Sequence, residues 1–177
     1  MYLTAGQYKG IKIEVPKDVK PTLSKVRESI FNMLLQFDLS DDSFLDMFCG
    51  SGIMSLEAVS RGYNVVSLEI NPKNASVIKK NCSKIKTKPN IIVTDCLKFK
   101  TNDKFSIIYL DPPWQDDYSL IIKKADELLN DKGVIFVEYD KTRNLDISDI
   151  LLKNNIHLEI FKSKKYGRCL IDILTKS

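Results

Sequence analysis

Four consecutive residues, Asp111-Pro112-Pro113-Trp114, combine chemical groups that can hold a planar amine. They follow an apolar run over residues 106–110, which predicts a buried strand. Asp111 supplies a carboxylate acceptor, and the Pro112 carbonyl supplies a second acceptor whose direction the prolines fix. Trp114 supplies a flat apolar surface, so the set suits a nucleobase that carries an exocyclic NH2 group. The alternative is a proline-rich turn after a strand, with Trp114 in the core.

A second candidate site is the turn Gly50-Ser51-Gly52, between a predicted strand over residues 43–48 and a predicted helix. Glycines let a ligand approach the backbone closely, and a helix N-terminus attracts electron-rich groups. Nucleotide-type cofactors bind at the carboxyl ends of such strands. The dinucleotide fingerprint is incomplete because Ser55 occupies its third glycine position. A tight turn without a ligand is the alternative.

Acidic residues near this turn indicate which cofactor it would bind. Asp46 lies in the first predicted strand, Glu69 closes the second, where it can accept both ribose hydroxyls, and Asp95 follows the third. Because no P-loop lysine follows the glycines, these acids favour a cationic ligand over a pyrophosphate. S-adenosylmethionine fits, since it carries a sulfonium, an amino group, a ribose and an adenine amine. The predicted cofactor-binding residues are Asp46, Phe48, Gly50, Ser51, Gly52, Glu69, Ile70, Asp95, Cys96 and Asp111.

Strand and helix patterns alternate through most of the chain, which predicts an α/β protein with a mostly parallel sheet covered on both faces. The predicted strands span residues 43–48, 64–69, 90–94, 106–110, 133–138, 157–161 and 169–174, and the predicted helices span 53–61, 71–84, 117–130 and 147–154. Residues 162–168 form a loop too short for a parallel crossover, so the last two strands should pair antiparallel. We expect one domain over 1–177, in which 1–40 form an extension with a hairpin around Gly6 and Gly10 and a helix over 21–37, and 41–177 form the catalytic core.

Composition limits the class of protein. The chain has 177 residues, 44% of them hydrophobic, and a net charge of +4, which is enough for one globular domain. There is no apolar run of about 20 residues and no signal-peptide pattern, so a cytoplasmic location is expected. The four cysteines form no C-x-x-C pair and the single histidine, His157, is far from them, so no metal site is expected.

Several blocks of the sequence carry a family resemblance. They are Gly6-x-x-Lys9-Gly10, Pro21-Thr22 with Val26-Arg27-Glu28 and Phe31-Asn32, Asp46-Met47-Phe48-Cys49-Gly50-Ser51-Gly52, Asp111-Pro112-Pro113-Trp114, and Lys165-Tyr166-Gly167. In these blocks the chain resembles the bacterial guanine-N2 methyltransferases of small-subunit (16S) ribosomal RNA, nearly from end to end. The Pro-Thr…Val-Arg-Glu…Phe-Asn block is the specific part. Lys20 and Trp114 depart from the usual Arg and Tyr.

This resemblance implies a Rossmann-like class I S-adenosylmethionine-dependent methyltransferase fold: a seven-stranded, mostly parallel sheet with an antiparallel last strand, plus an N-terminal hairpin and helix. It implies S-adenosylmethionine as cofactor, 16S rRNA or a small-subunit assembly particle as partner, no membrane partner, and a monomer. The implied catalytic residues are Asp111, Pro112, Pro113 and Trp114. The implied RNA-binding residues are Lys9, Lys20, Arg27, Lys165, Tyr166 and Arg168.

The resulting hypothesis is methyl transfer to a guanine N2 amine, with Asp111 and the Pro112 carbonyl accepting its N–H bonds and Trp114 stacking on an unstacked base. Two alternatives stay open: a DNA or RNA adenine-N6 methyltransferase, which shares the Asp-Pro-Pro-Trp logic, and a non-catalytic RNA-binding protein of the same fold. His157 is expected to be a structural or surface residue, and Glu138 a structural or sheet-edge acid.

Overall fold

A computed structural model describes residues 1–87 and 90–177. Its sheet has seven strands in the order β3-β2-β1-β4-β5-β7-β6. The strands are β1 (Ser43–Asp46), β2 (Asn64–Glu69), β3 (Asn90–Val93), β4 (Phe105–Leu110), β5 (Leu129–Asp140), β6 (Leu158–Tyr166) and β7 (Cys169–Lys176). The helices are α1 (Ser24–Leu34), α2 (Ile53–Ser60), α3 (Pro72–Lys84), α4 (Tyr118–Leu128) and α5 (Ile147–Lys153). The α/β prediction is therefore confirmed.

Strands β1 to β5 pair in parallel, and β7 lies antiparallel between β5 and β6. The predicted antiparallel last strand is thus confirmed, but the predicted loop over 162–168 is wrong. β6 continues to Tyr166, and only Gly167 and Arg168 form the turn, with Gly167 in the left-handed region at φ +64°. Residues 162–165, Lys-Ser-Lys-Lys, resemble a loop in sequence because they show neither the continuous apolar run of a strand buried on both faces nor the alternation of a strand buried on one face.

The sheet separates two hydrophobic cores. Phe44 of β1 and Ile107 of β4 face the core that contains α1 and α2, while Leu45 and Ile108 face the core that contains α4. Every residue of β4 is buried, as the continuous apolar run predicted. Among the described residues, no helix is both long and apolar enough to cross a bilayer.

The N-terminal segment is less regular than predicted. Its hairpin consists of one antiparallel bridge between Tyr2 and Lys12, with flanking backbone hydrogen bonds, and its helix is confined to α1. The segment packs closely against α2. At Gly6, which has a φ of +78°, a Cβ atom would lie 1.8 Å from the Ser60 carbonyl oxygen, so only glycine fits there.

Arg27 of α1 anchors this segment to α2 and is fully buried, so the prediction that it contacts RNA is wrong. Its Nε lies 3.0 Å from Oε1 of Glu57, which is also fully buried. Its Nη atoms donate to the carbonyls of Thr22 (2.6 Å) and Tyr2 (3.0 Å). Arg61 pairs with the second oxygen of Glu57. The buried pair of Arg27 and Glu57 is therefore neutral and hydrogen-bonded within the protein, and the partly exposed Arg61 adds a second cation beside it.

Replacing Arg27 with alanine should destabilise the fold strongly, because it leaves the Glu57 carboxylate buried without its main partner. We expect the free energy of unfolding to fall by about 3–5 kcal/mol in a urea titration. Lys25→Ala, an exposed change on the same helix, should alter it by less than about 0.5 kcal/mol. Equal stability of the two variants would contradict the structural role of Arg27.

Candidate active site

A cleft of about 980 Å³ opens at the carboxyl ends of the central strands. The strand order reverses at β1, between β2 and β4, which is where open α/β sheets bind ligands. Every predicted catalytic and cofactor-binding residue lines this cleft except Gly52. Gly52 instead begins α2 in a left-handed conformation, where a Cβ atom would lie 2.8 Å from the side chain of Ile78.

Glu69, at the end of β2, is held by backbone donors on both of its oxygens. Gly50 N donates to Oε2 at 2.8 Å, and Asn71 N donates to Oε1 at 2.8 Å. These bonds tie the acid directly to the glycine turn and fix its direction. The carboxylate keeps acceptor capacity, because each oxygen has a second lone pair.

Asp46, at the end of β1, is fully buried and only half satisfied. Ser55 Oγ donates to its Oδ2 at 2.6 Å, and Ser67 Oγ donates to Ser55 at 2.8 Å. Its Oδ1 has no hydrogen-bond partner among the described residues. Burial raises the pKa of Asp46 to about 7, and the charge of Glu69 contributes in the same direction. A buried acceptor without a partner suits a hydrogen-bond donor supplied by a ligand.

Ser55 therefore has a structural role, as hydrogen-bond donor to Asp46, that the sequence pattern did not indicate. In the sequence it only breaks the dinucleotide fingerprint, whereas in the structure it connects α2 to the buried acid. The available signal was the hydroxyl at a helix position that faces the preceding strand.

Asp111, directly after β4, and Glu138, two residues before the end of β5, lie on neighbouring strands. Their preceding residues, Leu110 and Val137, pair in parallel register. Burial raises the pKa of Asp111 well above its usual range, and the neighbouring charges of Glu138 and Asp46 raise it further. Burial also raises the pKa of Glu138. Lys20 lowers both pKa values by its opposite charge.

Glu138 is not the sheet-edge acid that the sequence suggested, because β5 lies inside the sheet and Glu138 lines the cleft. The hydroxyl of Tyr109 donates to Glu138 Oε2 at 2.5 Å. Because Tyr109 gives its only hydroxyl proton to Glu138, the Thr22 hydroxyl 3.0 Å away must donate to Tyr109. The signal for Glu138 was an acid at the end of an apolar strand, the same pattern that identified Glu69.

The Trp114 ring is 60% exposed at the mouth of the cleft, which excludes the alternative that it is a core residue. The guanidinium of Arg143 lies 4.4 Å from the centre of the Tyr118 ring and 6.0 Å from that of Trp114. Arg143 also donates to the Pro113 carbonyl at 3.3 Å. Among residues 1–87 and 90–177, the Pro112 carbonyl accepts one hydrogen bond, a long one of 3.4 Å from Tyr118.

Some of the residues that were predicted to bind RNA line the cleft, and others lie away from it. Lys20, Tyr166 and Arg168 line the cleft, with Tyr166 hydrogen-bonded to Ser29 of α1. Arg168 is exposed and pairs with Asp140 at 3.0 Å. The remaining exposed lysines of this set, Lys9 and Lys165, are not among the described residues that line the cleft.

Comparison with known proteins identifies the family. The family model described as Conserved hypothetical protein 95 matches residues 1–175. Ribosomal RNA small subunit methyltransferase D of Buchnera aphidicola subsp. Acyrthosiphon pisum is 32% identical over 159 residues, which cover 82% of this chain and 81% of that protein. The chain therefore belongs to the family of Conserved hypothetical protein 95, as this relative and the family model show. The resemblance stated from the sequence is thereby confirmed.

Solved structures support the same fold. A structure described as putative methyltransferase yhhF from Escherichia coli superimposes with a TM-score of 0.80 at 23% identity, covering 100% of this chain and 98% of that one. An S-adenosylmethionine-dependent methyltransferase from Clostridium acetobutylicum superimposes with a TM-score of 0.74 at 14% identity, covering 90% and 93%. This member of the family therefore has the predicted class I S-adenosylmethionine-dependent methyltransferase fold.

The buried Asp46 should make stability depend on pH. Between the ordinary pKa of 3.8 and the raised value of about 7, the folded protein keeps a proton at Asp46 that the unfolded chain has lost. The free energy of unfolding should therefore fall as pH rises through this window, by up to about 1.4 kcal/mol per pH unit from this group. Urea titrations at several pH values should show a shallower decline for Asp46→Asn, whereas the exposed control Asp131→Asn should keep the wild-type slope. Identical slopes for wild type and Asp46→Asn would contradict the assignment.

Proposed function

We propose that this protein transfers a methyl group from S-adenosylmethionine to the exocyclic N2 amine of a guanine in 16S ribosomal RNA. The observation that carries the proposal is that Asp111-Pro112-Pro113-Trp114 shares one cleft with the Gly50 turn and the acids Asp46 and Glu69. One end of the cleft thus has acceptors and an aromatic ring for a base, and the other has acids and a glycine turn for a cationic cofactor.

The residues of the cofactor end match the groups of S-adenosylmethionine. In this proposal Glu69 accepts the ribose hydroxyls, Asp95 and the adjoining Cys96 segment lie against the adenine, and the free Oδ1 of Asp46 accepts a donor from the methionine part. Ile70 is 70% exposed in the same cleft, where it offers an apolar surface for the adenine ring. The bound cofactor would supply an electrophilic methyl group on a sulfonium.

The residues of the base end address the weak nucleophilicity of the amine, whose lone pair is delocalised into the guanine ring. Asp111 and the Pro112 carbonyl would accept the two N–H bonds and aim the lone pair at the methyl carbon. The bound cofactor would give up its methyl group to the amine nitrogen and keep the electron pair of the broken S–CH3 bond on sulfur. Asp111 would accept the proton that the amine then loses. Trp114 would stack on the base.

The identity of the substrate rests on the relatives and on the N-terminal block of the sequence. The Buchnera relative is named as a methyltransferase of small-subunit ribosomal RNA. Lys20 and Arg168 at the cleft are suited to phosphates. A small-subunit assembly particle as the substrate, a monomeric enzyme and a cytoplasmic location remain parts of this proposal. The proposal also includes a single domain over 1–177, made of an extension over 1–40 and a catalytic core over 41–177.

Replacing Asp111 with alanine should abolish methyl transfer, since it removes the acceptor that orients the amine. We expect a rate at least about 100-fold lower, with S-adenosylmethionine affinity within severalfold of wild type by calorimetry. The measurement is transfer of labelled methyl groups to small-subunit particles, followed by mass mapping of the methylated nucleotide. The matched control Asp131→Ala removes a carboxylate that is fully exposed on β5 and should leave the rate unchanged. Wild-type turnover by Asp111→Ala would refute the mechanism.

Trp114 is the only tryptophan of the chain, so intrinsic fluorescence reports directly on the base end of the cleft. Binding of substrate particles should quench and shift its emission, because a stacked base displaces water from the exposed ring. Particles in which the target guanosine is already methylated should give a smaller change. The variant Trp114→Phe should lose the signal and keep measurable activity. An emission spectrum that is unchanged by saturating substrate would argue against stacking.

A further inference from the structure

We propose that Glu138 selects guanine by accepting a hydrogen bond from the ring N1–H of the target base. The inference deepens the proposed function and rests on it. Asp111 and the Pro112 carbonyl bind an exocyclic amine, which guanine and adenine both possess, so they do not discriminate between the two bases. Discrimination between guanine and adenine requires a group that forms a hydrogen bond with the neighbouring ring nitrogen.

Glu138 is in the right place to do so. β4 and β5 are adjacent parallel strands, which lie about 4.8 Å apart, and the register of Leu110 with Val137 puts Asp111 and Glu138 next to each other. Both side chains line the cleft. Two acceptors on neighbouring strands can therefore converge on two neighbouring donors of one base edge.

The orientation of Glu138 is fixed by the protein, which a residue that reads a base requires. Tyr109 donates to Oε2 at 2.5 Å, and Thr22 in turn donates to Tyr109. The Thr22 carbonyl is itself held by Arg27. The Cys169 thiol also lies within hydrogen-bonding reach of the Glu138 carboxylate. Among the described residues no other side chain donates to Oε1, and Glu138 is only partly buried and lines the cleft, so its carboxylate can accept a further hydrogen bond there.

The edges of the two bases differ at the position that Glu138 would read. Guanine presents N1–H and the N2 amine as adjacent donors, whereas adenine presents its N6 amine beside N1, which is an acceptor. A carboxylate facing adenine N1 would bring two hydrogen-bond acceptors together, and neither would have a donor. A site built around a donor on its ligand rejects the analogue that lacks this donor far more strongly than an apolar pocket rejects a size change.

A purely structural role explains the position of Glu138 less well. It is placed beside Asp111, and its charge disfavours ionisation of the Asp111 carboxyl group. The positive charge of Lys20 offsets this unfavourable interaction only in part, because the Lys20 side chain is exposed. A hydrogen-bond donor on the bound base would compensate the second carboxylate directly.

The test uses a base that keeps the amine and lacks the ring donor. In 2-aminopurine the N2 amine is present but N1 is an acceptor. Small-subunit particles are reconstituted with 16S rRNA that carries either guanosine or 2-aminopurine riboside at the mapped nucleotide, and kcat/KM is measured for each. We expect wild type to prefer guanosine by at least about 100-fold. In Glu138→Gln the amide can donate to N1 of 2-aminopurine, so the preference should fall below about 10-fold.

The control Glu127→Gln, an exposed change on α4, should keep the wild-type preference. Thermal unfolding and S-adenosylmethionine calorimetry establish that the variants are folded. Should Glu138→Gln not fold, the wild-type comparison of the two particles still decides, since equal rates on both would overturn the inference. An unchanged preference in folded Glu138→Gln would also overturn it. In both cases transfer to guanosine would stand, whereas absence of methyl transfer to guanosine by wild type would refute the proposed function itself.

Discussion

The cleft depends on the buried ion pair between Arg27 and Glu57. Two ions removed from water are stable only when their remaining hydrogen-bonding capacity is also satisfied. Here the Thr4 amide and hydroxyl, Arg61 and two backbone carbonyls complete the set, and Glu57 sits in α2 directly after the glycine turn. The pair thus fastens the N-terminal segment to the helix that begins at the cleft. Arg27 also holds the Thr22 backbone carbonyl, while the Thr22 hydroxyl bonds Tyr109, which in turn donates to Glu138.

The charge of the cleft is opposite to that of the chain as a whole. The protein carries a net charge of +4, yet Asp46, Asp111 and Glu138 line adjacent strands of one sheet face, and burial raises the pKa of each. Basic side chains such as Lys20, Arg143 and Arg168 line the same cleft. This arrangement suits a proposed reaction in which phosphates stay outside while a cationic cofactor and a neutral base enter.

Most of the fold could be predicted from the sequence, and so could the cleft residues that belong to its motifs, but the residues that support them could not. β4 could be predicted because a strand buried on both faces leaves a continuous apolar run, and Glu69 because it ends such a run. Arg27 could not, since its residue type indicates exposure and its partner Glu57 is distant in sequence. The extent of β6 was missed because its lysines mimic a loop. Glu138 matched the pattern of Glu69, but its proximity to Asp111 follows only from the strand order.

The position of β7 has a consequence for synthesis of the chain. β5, which carries Glu138, is complete at Asp140, but its second neighbour is formed by Cys169–Lys176 near the end of the described chain. Until those residues leave the ribosome, one side of β5 presents unpaired backbone groups, and β6 has no strand beside it. Such an open edge is a template for association with other chains. The nascent protein is therefore exposed to association at this edge until β7 inserts between β5 and β6.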